Sequence, residues 1–80
     1  MMSKASFEIE DMAKAAHQVW MEGKLRDGWV YATVTNKALK QHSCLIPYDQ
    51  LTEPDKESDR DLVRGIPDIL AKAGYRIVRL

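Results

Sequence analysis

Eighty residues allow one domain with a single modest core and leave little chain for a deep, walled catalytic cleft, so small binding modules are favoured over enzymes. Twelve Lys and Arg balance twelve Asp and Glu, which removes any overall electrostatic pull towards nucleic acid or an anionic membrane. The lone Cys44 excludes an internal disulfide and suits a reducing compartment. No apolar run approaches the roughly 18–20 residues that span a bilayer, and the start MMSKASFEIED lacks the apolar centre of a signal peptide. A cytoplasmic protein is expected, either a whole small protein or a module cut from a longer one, with 1–80 as a single domain.

Residues 1–6 are polar and read as flexible, with Ser6 placed as an N-cap and Glu8, Glu10 and Asp11 suited to the dipole of a helix that starts there. Ile9, Met12, Ala13, Ala16 and Trp20 recur at helical spacing and form one stripe, flanked by His17 and Val19. Gly23 is the expected stop, with Lys24 and Arg26 near the C-terminus. Gly28 then opens WVYATVT, a short strand by its β-branched and aromatic content. A strand this short needs a partner, and GYRIVRL at the C-terminus is the candidate. Asn36–Gln41 reads as a turn.

The stretch from His42 to Arg60 is interrupted by Pro47 and Pro54, yet Leu45, Ile46, Tyr48 and Leu51 predict a loop pinned onto the core. Thr52 can cap one extra turn with Pro54 in it. A second helix is expected from about Asp59 to Ala73, with Ser58 as its cap and Leu62, Val63, Ile66, Ile69, Leu70 and Ala73 on one face. Pro67 implies either a kink or a second short helix after Gly65. The fold class is therefore mainly α with minor β: two main helices joined by a long loop, plus a short extended strand pair. Charge is unevenly placed, with net −4 over 49–61 and net +3 over 62–80.

Ala13, His17 and Trp20, then Gly28, Trp29 and Tyr31, then His42, Leu45, Pro47, Tyr48, Leu51, Lys56, Asp59 and Arg60, and finally Gly74 and Tyr75, together resemble the ryanodine receptor repeat. The resemblance covers residues 9 to 78. Two positions depart from its pattern: Ala32 stands where a Gly usually follows the Tyr, and Ser43 where a Pro follows the His. The resemblance implies a mostly helical unit that pairs about an approximate twofold, here as a homodimer. It also implies a non-enzymatic sensor or adaptor, with an adenine nucleotide as the ligand class.

Trp20, Trp29, Tyr31 and Tyr48 are able to stack a base, a contact worth roughly 1–3 kcal/mol. Trp20 and Tyr48 read first as core anchors, since both sit in apolar patterns. Trp29 remains open between core and ligand. Lys56, Arg60 and Arg64, spaced by four, share a helical face and could clamp phosphate. Pairing of Lys56 and Arg60 with Asp49, Glu57 and Asp59 is the stronger expectation. Arg76 and Arg79 have fewer acids close by.

His17, His42 and Cys44 are too few and too scattered for structural zinc, and no metal or cofactor is expected. In an extended loop His42 and Cys44 would face opposite sides, which disfavours a hydrolase built on them. His17 reads as a hydrogen-bonded histidine at the core edge, tying the first helix to the loop. The acids of 49–61 lie in a solvated run that raises no pKa for acid–base work. The leading expectation is a ligand-sensing homodimer in which Trp29 and Tyr31 stack the base and Arg60, Arg64 or Arg76 meets phosphate, with His17, Trp20 and Tyr48 as further site candidates. The alternative is a protein-interaction or structural domain without a small ligand; neither nucleic acid nor membrane insertion is expected.

Overall fold

The computed structural model describes residues 2–78, with side chains from Ile9 onward. Helix α1 spans Met2–Arg26. It starts ahead of Ser6, so Ser6 is not its N-cap, and it runs through Gly23. The stop comes at Gly28, whose φ of +90° is open to glycine without strain. There the N–H of Gly28 donates to Leu25 O at 3.1 Å and that of Trp29 to Lys24 O at 3.0 Å, the paired bonds of a Schellman cap.

Strand β1, Val30–Tyr31, pairs in parallel with β2, Gln41–His42, in the register Val30 to Gln41 and Tyr31 to His42. The expected partner, the C-terminal segment, has no regular structure over residues 75–78. Local closure wins because a 3-10 turn at Lys37–Leu39, capped by the Asn36 side chain, and a left-handed Lys40 (φ 54°) fold the chain back within a few residues. Recruiting the distant chain end would close a longer loop at higher entropic cost. The two departures from the family pattern are accommodated. Ala32 has no positive φ and donates its N–H to His42 O at 3.2 Å. Ser43 supplies an N–H, absent from proline, that donates to Thr35 Oγ1 at 3.1 Å.

Helix α2, Glu53–Arg64, is capped by Thr52, whose Oγ1 accepts from the N–H of Asp55 at 3.3 Å, with Pro54 in the first turn. The helix thus begins six residues ahead of the expected Asp59, and Ser58 lies inside it. Helix α3, Ile66–Lys72, follows a break at Gly65, with Pro67 in its first turn where no N–H is needed. Gly74 (φ +93°) closes it with a second Schellman cap, Gly74 N–H to Ala71 O at 3.1 Å and Tyr75 N–H to Leu70 O at 2.8 Å. Both Gly-aromatic pairs of the sequence, Gly28-Trp29 and Gly74-Tyr75, are therefore helix stops.

The core forms where α1 and α2 cross the loop. Ala13, Tyr48, Leu51 and Val63 are buried together, with Ile9, Met12, Ala16, Cys44, Ile46 and Ile66 packed around them. The α1 stripe and the pinned loop are as expected. The second apolar face is not continuous: Val63 is 1% exposed, whereas Leu62 and Ile69 are each 64% exposed. Beyond the break at Gly65, Ile66 of α3 still packs against this core, whereas Ile69 is left exposed.

Candidate functional site

A groove of about 240 Å³ opens between α1, α2 and the loop. Helix α1 contributes Ala16, His17 and Trp20; α2 contributes Asp55, Ser58, Asp59 and Leu62; the end of β2 contributes His42, and the loop after it Cys44 and Leu51. The helical spacings explain these walls. His17 and Trp20 lie three apart, and Asp55, Asp59 and Leu62 four and three apart, so each set shares a face.

His17 is the fixed point of the groove at 4% exposure. Its Nε2 lies 2.7 Å from the carbonyl oxygen of Ile46. A carbonyl only accepts, so Nε2 carries a proton. Nδ1 then faces the Asp59 carboxylate at 3.5 Å. The ring also stacks on Trp20, with centroids 5.4 Å apart. Nδ1 would pair with Asp59 only in the protonated ring, and through Nε2 the histidine ties α1 to the loop as expected.

An aromatic row continues outward. Trp20 meets His42 edge-on at 4.9 Å, His42 approaches Trp29 at 6.1 Å, and Lys24 Nζ caps the Trp29 ring at 4.2 Å. His42 and Cys44, expected on opposite sides, line the same groove. The segment is not extended there: the N–H of Cys44 turns back to donate to His42 Nδ1 at 3.0 Å, which leaves the His42 proton on Nε2. Burial, then the charges of Lys24 and Lys37, lower the His42 pKa. The Cys44 thiol donates to Asp55 Oδ2 at 3.5 Å. Burial first, then the Asp55 charge, push the thiol pKa up, the reverse of what an activated nucleophile requires.

Asp55 and Asp59 sit four apart on the groove side of α2. Burial raises the Asp59 pKa, opposed by His17 and reinforced by Asp55. Neither carboxylate pairs with a lysine or arginine among the described residues. Among those residues, too, no three of His, Cys, Asp and Glu are placed to hold a metal ion.

The expected ligand residues do not converge on one place. His17 and Trp20 line the groove, while Tyr48 lies in the core beneath it. Trp29, half-buried, and Tyr31, exposed, lie outside the groove lining. Arg60 and Arg64 belong to a separate carboxylate network. Arg60 bonds Glu10 at 2.8 Å, Glu53 at 3.1 Å and Glu57 at 3.2 Å, and Arg64 bonds Glu57 at 2.6 Å and also Asp61. These contacts hold the Glu10 and Glu57 carboxyls below their ordinary pKa. Lys56 lies over the Tyr48 ring at 5.7 Å, and Asp49 meets Lys14 at 3.3 Å. Arg76 is exposed on the irregular C-terminal segment.

Asp55, Ser58, Asp59 and Leu62 were not anticipated as a wall. Their spacing is the available signal, hidden because the acids read as uniformly solvated and a helix beginning at Asp59 leaves Asp55 outside it.

Fold and groove together define a small, mainly α module whose two principal helices and connecting loop line an open groove. The signature of the RyR domain matches residues 2–79, and the chain belongs to that family. No helix among the described residues is long and apolar enough to cross a membrane.

Proposed function

We propose that this RyR domain is a non-enzymatic, cytoplasmic ligand-sensing module that binds an adenine nucleotide or a related nucleotide signal in the groove between α1 and α2. The observation that carries the reading is the juxtaposition of the Trp20 and His17 rings with Asp55, Ser58 and Asp59 across one cleft. The half-buried Trp20 ring, backed by His17 on which it stacks, suits a base, and acceptors opposite suit its amino and ribose hydrogens. The absence of an activated nucleophile at Cys44 supports binding over catalysis. The test is thermal unfolding against adenine, guanine and ADP-ribose-type nucleotides, beside Trp20→Ala with its fold checked by circular dichroism. A ligand at 100 times its Kd stabilises by about 2.7 kcal/mol. A midpoint shift that disappears in the variant supports the reading; flat curves across the panel defeat it.

A second reading, a protein-interaction domain or homodimer without a small ligand, is favoured by a different observation. Ile69, Tyr75, Ile77 and Val78 on α3 and the segment after it are exposed apolar side chains, and such clustering marks interaction surfaces. Sedimentation across a concentration series distinguishes a self-associating chain from a monomer, and Ile69→Glu should abolish association that uses this surface.

A further inference from the structure

The groove has an electrostatic polarity that the nucleotide reading leaves open. Its inner wall carries Asp55 and Asp59 with no lysine or arginine partner among the described residues, while Arg60 and Arg64 are committed to Glu10, Glu53, Glu57 and Asp61. A phosphate placed inward would meet two carboxylates at short range. At the other end the α1 face continues from His17 and Trp20 to Lys24, the next position on that stripe. Lys24 Nζ lies over Trp29, whose ring adjoins His42 at the groove wall. Burial first, and then the charges of Lys24 and Lys37, disfavour protonation of His42.

We propose that the groove takes a nucleotide with its base and ribose inward, Asp55 and Asp59 accepting from ligand amino and hydroxyl hydrogens, and with its phosphates outside at Lys24. This rests on the nucleotide reading above and adds to it the ligand class: the nucleoside portion is what the groove recognises, and phosphate is an auxiliary contact. The donor and acceptor inventory agrees. With Nδ1 taken by the Cys44 N–H, His42 presents Nε2–H as a donor, while Ser58 supplies a hydroxyl able to act either way. Asp55 and Asp59 only accept. A ligand carrying a cis-diol or an exocyclic amine satisfies that wall, and a polyphosphate does not.

The experiment is calorimetric titration of the full chain with adenosine, ATP, 2′,3′-dideoxyadenosine and inorganic tripolyphosphate at low and high salt. Asp55→Ala and Lys24→Ala are compared after their unliganded unfolding curves are matched to the parent, and Asp55→Asn serves if the alanine variant folds poorly. Adenosine and ATP are expected to bind, the dideoxy compound about tenfold or more weakly than adenosine, and tripolyphosphate not at all. Asp55→Ala should weaken adenosine and ATP by the same factor. Lys24→Ala should weaken ATP alone and remove most of its salt dependence. Binding of ATP and tripolyphosphate without adenosine, or tighter ATP binding in Asp55→Ala, would overturn the orientation while leaving a nucleotide sensor in place. Failure of every nucleoside and nucleotide to bind would remove the nucleotide reading and the orientation with it.

Discussion

The Nε2 of His17 donates to the carbonyl of Ile46 across 2.7 Å, joining residues 29 positions apart. The bond fastens the middle of α1 to the loop just before Tyr48 and so sets one side of the groove. Replacing His17 by Ala leaves that carbonyl without its donor and opens a void beside Trp20. A loss of about 2–4 kcal/mol is expected, read as a fall in the urea midpoint with an unchanged slope. A loss below about 0.5 kcal/mol would show that loop and helix are held elsewhere.

Tyr48 offers a contrast. Its ring belongs to the core, yet its hydroxyl is buried with no hydrogen-bond partner among the described residues. Burial, and then the neighbouring Glu10 carboxylate, raise its pKa. Tyr48→Phe removes an unsatisfied polar atom while keeping the ring, so stability should stay level or rise by up to about 1 kcal/mol. A drop of that size in thermal unfolding would mean that the hydroxyl is bonded in solution.

Two glycines five residues apart should respond with opposite signs. Gly28 holds φ +90° at the Schellman cap, with nothing within 4 Å of an added Cβ. Gly28→Ala therefore costs only the left-handed conformation, about 1–2 kcal/mol. Gly23 lies inside α1, and its added Cβ would meet only the Arg26 guanidinium at 3.8 Å. Gly23→Ala should stabilise by about 0.5–1 kcal/mol. Paired chemical denaturation curves check both, and matching signs would contradict the cap at Gly28.

Acid unfolding should have separable parts. The folded pKa of His42 lies below its ordinary value of 6.5, chiefly through burial. The unfolded chain thus binds that proton more readily, and stability falls as pH drops from 6.5 through the depressed value. Glu10 and Glu57, held below 4.5 chiefly by Arg60 and Arg64 respectively, keep their contribution above that value and lose it as pH falls through their folded pKa. Asp59 runs the other way: its raised pKa means that acidification through that value favours the folded state. His42→Asn retains an acceptor for the Cys44 N–H and does not titrate. Its unfolding midpoint should lose the part of the pH slope just below 6.5; an unchanged slope would place the sensitivity elsewhere.

Local chemistry explains what was legible beforehand. The α1 stripe, the Thr52 cap with Pro54 behind it, and the Gly65-Pro67 break all depend on residues within one or two turns of each other. Boundaries slipped where two local signals competed. Gly23 looked like a stop, but helical hydrogen bonding carries past a glycine when a better-formed cap follows at Gly28. Ser58 looked like a start, although Thr52 already supplied one.

The amino-acid sequence by itself determined the family, the mainly helical class, the helix stop at Gly74 and the histidine that ties helix to loop. Only the tertiary structure decided the partner of β1, the pairing of Arg60 with Glu10 across 50 positions, and the meeting of Trp20 and His17 with Asp55 and Asp59. Periodicity and caps are short-range, so composition and spacing report them directly. Which charged side chains end in a network and which line a groove depends on how α1 and α2 cross, and that crossing is set by packing among residues far apart in the chain.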